Sequence, residues 1–259
     1  MIVVCEPSES SSERAIVDGV DLDVEDRPGT DPAIVLLHEG LGSIGLWRDV
    51  PATLHDATGR RTVTYSRAGY GRSGPVPLPR PLTYMHHEAD VVLPALLGGL
   101  GIERPVLVGH SDGASIALLA AGAGLAVTAL VVLAPHVVVE DVSVAAITAA
   151  RTAYVDTDLR DRLARHHDDV DVAFRGWNDA WLDPAFRDWD ITERLPGITA
   201  PVLLIQGEDD PYGTTRQLDL IEAGLNGPCE RMVLAGVGHA PHLERRDEVM
   251  GAIADFVAR

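Results

Sequence analysis

The sequence contains no lysine, and all 21 of its basic residues are arginine. Mechanisms that need a lysine base, a lysine Schiff base or a lysine-bound phosphate are therefore excluded from this chain. Positive charge is scarce altogether. Against those 21 arginines stand 39 acidic side chains, a formal net charge of −18. Nucleic acid and anionic membrane surfaces would be repelled, so neither is an expected partner. Cysteine is nearly absent: Cys5 and Cys229 lie far apart and in no C-x-x-C or metal spacing, which predicts unpaired thiols in a reducing compartment. No apolar run reaches the ~18 residues of a membrane span. The first residues, Met-Ile-Val-Val-Cys-Glu-Pro, lack the basic start and long apolar core of a signal peptide. The expectation is a soluble, cytoplasmic protein.

What is present is the patterning of one large α/β domain with room for an inserted subdomain, at 259 residues. Residues 1–25 read as short antiparallel strands at 1–5, 15–18 and 20–25, the last alternating apolar and acidic residues as a half-exposed strand does. From Ala33 onward, runs apolar on both faces alternate with helical patterns. Strands are predicted at 34–37, 61–65, 105–109, 129–133, 201–206 and 230–234, and helices at 46–57, 84–100, 114–121, 214–225 and 244–258. Such alternation predicts a parallel sheet covered on both sides. It stops for about 60 residues after Pro135, in a largely helical stretch holding Trp177, Trp181 and Trp189 with Phe174 and Phe186. Aromatics are only 5% of the chain, so three of its four tryptophans in one insertion predict a lid over the strands' C-terminal ends, where open α/β sheets bind ligands. The expected organisation is a core of 1–135 and 197–259 with a helical lid at 136–196.

The chemistry centres on Gly109-His110-Ser111-Asp112-Gly113, entered from an apolar strand and left by a small-residue helix. This is the G-x-S-x-G pattern in the strand–turn–helix setting that gives it meaning. A serine on so tight a turn stands clear of the sheet, and the flanking glycines let strand and helix pass closely. Its hydroxyl needs a base, and the base needs an orienting acid. Candidates follow two later strands: Gly207-Glu208-Asp209-Asp210 and Gly238-His239, in the chain order Ser, Asp, His.

With these motifs the chain resembles the α/β-hydrolase superfamily over nearly its full length, nearest to the small-lid serine esterase, haloperoxidase-like and carbon–carbon hydrolase group. The resemblance implies a mostly parallel eight-stranded sheet with antiparallel N-terminal strands, helices on both faces and a lid after the sixth strand. It makes Ser111 the nucleophile, His239 the base and Asp210 the acid, with Asp209, Glu140 or Asp141 as competing acids and His242 as a competing base. The family's His-Gly-x-Pro-Gly loop falls on His38-Glu39-Gly40-Leu41-Gly42, where Glu39 and Leu41 depart from the pattern. It implies an oxyanion hole from the amides of Gly40 and Asp112, with Leu41 the alternative to Gly40. The family's Asp-Arg-x-Gly-x-Gly-x-Ser turn falls on residues 66–73, with Ser66 in place of Asp. Substrate-lining positions are expected at Glu39, Leu41, His110, His136, Trp177 and Trp181, and His38 is expected to bond loop backbone.

The pairs His86-His87 and His166-His167 lie among acidic residues in helical patterns and lack a third convergent ligand, so they read as solvated faces and no metal is expected. No cofactor is called for. A serine nucleophile argues against dehalogenase and epoxide-hydrolase chemistry, which use a carboxylate. The lack of lysine argues against hydroxynitrile lyases. The expected reaction is hydrolysis of a small to medium, largely apolar ester, lactone or thioester through an acyl-enzyme. Diketone carbon–carbon hydrolysis uses the same triad. From another class stands a small-molecule receptor that keeps the triad and closes its lid on a ligand. Monomer and homodimer are not separated by sequence.

Overall fold

A computed structural model describes residues 11–259. The strand expected at 1–5 lies outside the described residues. Eight strands form one sheet in the order β1-β2-β4-β3-β5-β6-β7-β8. They are β1 (Ser11–Val17), β2 (Val20–Arg27), β3 (Thr30–Leu37), β4 (Arg60–Tyr65), β5 (Val106–His110), β6 (Ala129–Leu133), β7 (Val202–Gly207) and β8 (Cys229–Leu234). β2 runs antiparallel to both its neighbours, and β3 to β8 are mutually parallel.

The period-two alternation of side chains explains why the central strands read as uninterrupted apolar runs. Ile34, Leu36, Val106, Val108, Val131 and Leu133 face one core, packed with Trp47, Leu54, Val249 and Ile253. Val35, Leu37, Leu107, Leu130 and Val132 face the other, beneath Leu93, Leu96, Ile116 and Leu119. Each such side chain, fully buried, contributes roughly 1.5–3 kcal/mol through the hydrophobic effect. Helix α4 (Asp112–Gly122) crosses the sheet at its centre with every residue from Asp112 to Ala121 buried. It can lie so close because Gly113 carries no side chain: a Cβ there would collide with the backbone carbonyl of Leu37.

Several predicted helices are broken, each for a local reason. The helix expected over 84–100 is α2 (Tyr84–His87), a π turn (Glu88–Val92) and α3 (Leu93–Gly99). Pro94 has no N–H to continue the ladder, and the wider turn sits just before it. The helix expected over 46–57 is a 3₁₀ turn (Ile44–Trp47) followed by α1 (Val50–Thr58), interrupted at Arg48 with φ 54° and restarted with Pro51 in its first turn. The helix expected over 244–258 is α10 (Arg246–Val257), with the single turn α9 (Pro241–Glu244) set just before it. Ahead of both, between β7 and β8, stands α8 (Arg216–Gly224).

Between β6 and β7 the chain forms α5 (Asp141–Asp156), α6 (Leu159–Leu163), α7 (Val170–Trp181) and two 3₁₀ turns, Pro184–Asp188 and Thr192–Gly197. The two histidine pairs expected to be solvated faces are not both so. His167 is buried, accepts from the amide of Gly71 at 3.0 Å and donates to the carbonyl of Leu41 at 2.9 Å, which pins this insertion to the core. Glu88, beside His86-His87, is buried too, and burial raises its carboxyl above the usual range. Among the described residues no group of histidine, cysteine or acidic side chains could hold a metal ion, and no helix is long and apolar enough to cross a membrane.

Candidate active site

Five parallel strands end on one edge of the sheet, and each delivers a residue there. Gly40 follows β3, Ser111 follows β5, His136 follows β6, Asp210 follows β7 and His239 follows β8. Ser111 has φ 54° and ψ −118°, a region that side chains avoid, and it caps α4. Gly109 permits the turn, since a Cβ there would strike the backbone of Gly113 and Ala114. The strain presents the hydroxyl at the start of an eleven-residue helix whose free amides and dipole favour negative charge.

His239 Nδ1 lies 2.9 and 2.8 Å from the two carboxylate oxygens of Asp210. A carboxylate only accepts, so Nδ1 carries the proton and the lone pair falls on Nε2. Asp210 is held in turn by the side-chain amide of Gln206 (2.7 Å) and the backbone amide of Tyr212 (2.8 Å). Burial works to raise its carboxyl, but His239 and the Tyr212 amide outweigh it and keep it below the usual range. Asp209 is exposed. Glu140 is engaged elsewhere, by Thr214 and Gln217 at 2.7–2.9 Å.

Ser111 and His239 line one cavity of about 90 Å³. Its floor comes from Glu39, Gly40 and Leu41 with Ser111 and Asp112, one wall from His136, Tyr212 and His239, and its roof from Ile147, Trp177 and Trp181 of the insertion. The serine hydroxyl makes no hydrogen bond to His239 among the described residues; in uncomplexed hydrolases this contact is commonly long and tightens around substrate. Larger clefts, of about 410 and 360 Å³, lie away from Ser111 and His239.

The other histidines are sorted by their bonds. His110 donates from Nε2 to the carbonyl of His239 (2.7 Å), and its Nδ1 lies 3.5 Å from Glu39 Oε2. Burial would raise the Glu39 carboxyl, yet the contacts with His110 outweigh it and lower it from the usual range. His136 contacts the rings of Trp181 and His239, and burial pushes it down to about 4. His242 packs between Trp47 and His110 at the start of α9, and burial pushes it down to about 3. His38 donates from Nδ1 to the Glu39 carbonyl and accepts at Nε2 from the Arg67 amide.

A buried network supports the floor. The Arg67 guanidinium donates to the carbonyls of His38 and Glu39, the latter at 3.0 Å, and lies 3.9 Å from Asp112 Oδ2. Tyr84 donates to Asp112 Oδ2 at 2.5 Å, and the Trp181 indole N–H to Asp112 Oδ1 at 3.2 Å. Arg67, Tyr84, Gln206 and Tyr212 were not anticipated as site residues. Gln206 carried a signal, a lone polar residue closing an apolar strand; Tyr84 carried none.

A sequence model of the alpha/beta hydrolase family matches residues 34–252, and the chain belongs to that family. Among curated relatives it is similar to a zebrafish (Danio rerio) protein named sn-1-specific diacylglycerol lipase ABHD11, with 35% identity over 99 residues, 38% of this chain and 30% of the relative's length. The fold is similar to that of an esterase from Exiguobacterium antarcticum (TM-score 0.76, 19% identity, 96% of this chain and 100% of that one). It is equally similar to a Vigna radiata epoxide hydrolase mutant (TM-score 0.76, 21% identity, 96% and 99%).

Proposed function

We propose that the protein is a serine hydrolase acting on a small to medium, largely apolar ester, lactone or thioester. Ser111 attacks the carbonyl while His239 Nε2 takes its proton, and the oxyanion is held by the amides of Gly40 and Asp112. His239 then protonates the leaving group. Water repeats the sequence on the acyl-enzyme and restores Ser111. Asp210 stays ionised throughout, fixing the imidazole tautomer and stabilising the imidazolium. The observation that carries this reading is His239, paired with Asp210 at 2.8 Å, lining one cavity with a strained serine.

The roof of indole rings and Ile147 favours an apolar acyl group. The space is small beside the roughly 300–1,000 Å³ of drug-sized pockets, which favours a short acyl chain unless the helical insertion, acting as a lid, swings open. Glu39, Asp112 and Asp210 place acidic groups around the site, so an anionic acyl chain is disfavoured.

A panel of esters, lactones, thioesters and a diketone, run with wild type and Ser111→Ala, tests the reading. Turnover of short-chain esters that falls by several orders of magnitude in Ser111→Ala supports it. Preferential diketone cleavage would move the assignment to carbon–carbon hydrolysis. A wild-type kcat far below 1 s⁻¹ on every substrate, with strong ligand-dependent stabilisation, would favour a receptor instead.

A further inference from the structure

Trp177 and Trp181 stand one turn apart on the same face of α7, and both line the cavity above Ser111. Their indole N–H groups have different fates. That of Trp181 is spent inside the protein, on Tyr84 Oη at 3.1 Å and Asp112 Oδ1 at 3.2 Å. That of Trp177 meets no acceptor among the described residues, although the residue is only 6% exposed. Among the described residues the buried, unpartnered indole N–H groups are those of Trp47 and Trp189; that of Trp177 keeps access to solvent from the cavity it lines, where a ligand atom can reach it.

The position of the free donor is set by its neighbour. A Cβ added at Gly40 would collide with Nε1 and Cδ1 of Trp177, so the N–H edge of the indole lies against the glycine of the loop after β3. The absence of a side chain at Gly40 makes room for that edge. We infer that the Trp177 indole N–H is a third donor to the substrate's carbonyl oxygen, joining the amides of Gly40 and Asp112 as charge develops. The helical insertion then contributes to the reaction itself as well as to the shape of the pocket. This rests on the serine hydrolase reading above.

A donor of this kind acts on the transition state more than on the bound substrate, and that separates it from a packing role. Trp177→Phe keeps an aromatic ring and removes the N–H. The expected result is a fall in kcat of about 10–100-fold, somewhat less than a backbone oxyanion donor is worth, with KM within about threefold. The Ki of a trifluoromethyl ketone, which forms a tetrahedral adduct on the serine, should rise by the same factor as kcat/KM falls. A second measurement uses the wild-type protein. With ¹⁵N-labelled indoles, adduct formation should move one of the four tryptophan N–H signals downfield, as a new hydrogen bond to an oxyanion requires.

A loss in Trp177→Phe that appears in KM and thermal stability while the inhibitor's Ki is unchanged overturns the inference. An indole spectrum that does not respond to the adduct overturns it also, and it decides the matter if the variant fails to fold. Ser111→Ala, run alongside, keeps the two levels apart. If it retains activity the triad reading fails; if it is inactive and Trp177→Phe is normal, only the third donor fails.

Discussion

Arg67 and Asp112 form a buried ion pair at 3.9 Å that joins the two segments supplying the proposed oxyanion amides. The same guanidinium holds the carbonyls of His38 and Glu39, so the loop carrying Gly40 and the start of α4 share one rigid support. Tyr84 completes the shell around the Asp112 carboxylate. Tyr84→Phe removes the shortest donor to that carboxylate and leaves a buried acceptor under-satisfied. Urea denaturation should show a loss of about 1–3 kcal/mol. Unchanged stability would mean the carboxylate's other donors suffice.

The acid of the triad is separable from its neighbour by burial. Asp210 accepts from His239, Gln206 and Tyr212, whereas Asp209 is exposed. Asp210→Asn should lower kcat by about 10⁴-fold through loss of the correct histidine tautomer. Asp209→Asn should stay within about twofold of wild type, as exposed substitutions usually do. Steady-state kinetics on both variants decide it, and the reverse ranking would move the acid by one position.

Strain at Ser111 makes a stability prediction independent of any substrate. Ser111→Ala and Ser111→Gly both remove the hydroxyl, but only glycine relaxes the φ of 54°. The glycine variant should be the more stable of the two by about 1 kcal/mol, the relief of strain being partly offset by its freer unfolded chain. Thermal unfolding of the pair measures the difference. A glycine variant less stable than the alanine would show that the elbow stores little strain.

Acid sensitivity follows from the buried imidazoles. His136 and His242 titrate at about 4 and about 3 in the folded protein, below the 6.5 of the unfolded chain. Between those values the unfolded state binds more protons, so stability is full above pH 6.5 and is lost as pH falls toward 4. For His136 the loss is on the order of 3 kcal/mol across that window. Urea midpoints measured from pH 8 to 4 should fall, and His136→Asn should flatten the slope. A parallel slope in the variant would assign the effect elsewhere.

The ends of β3, β5, β6 and β7 were legible because each is a buried apolar run followed by a glycine- or proline-bearing turn. Ser111 and Asp210 sit in the turns after such runs, whereas His239 follows β8, a largely exposed strand in which only Leu234 is buried, and stood out by its Gly-His pair and its place in the chain order. The helix breaks at Arg48 and before Pro94 were less legible, since prolines at 51 and 94 fit inside an otherwise helical apolar pattern. Solvation of His167 was misread because charge-rich local sequence says nothing of the loops that later cover it. The contrast between Trp177 and Trp181 was beyond reach. Two identical side chains four residues apart differ only in what the rest of the chain, Tyr84, Asp112 and Gly40, brings beneath them.

The most direct test of the central claim is covalent. Wild-type protein is treated with a fluorophosphonate, and its intact mass and peptide map are read by mass spectrometry. The account predicts one adduct per chain, on Ser111, that is absent from Ser111→Ala and strongly slowed in His239→Ala. An adduct on another residue, or a wild-type protein that stays unlabelled while control serine hydrolases react, would contradict it.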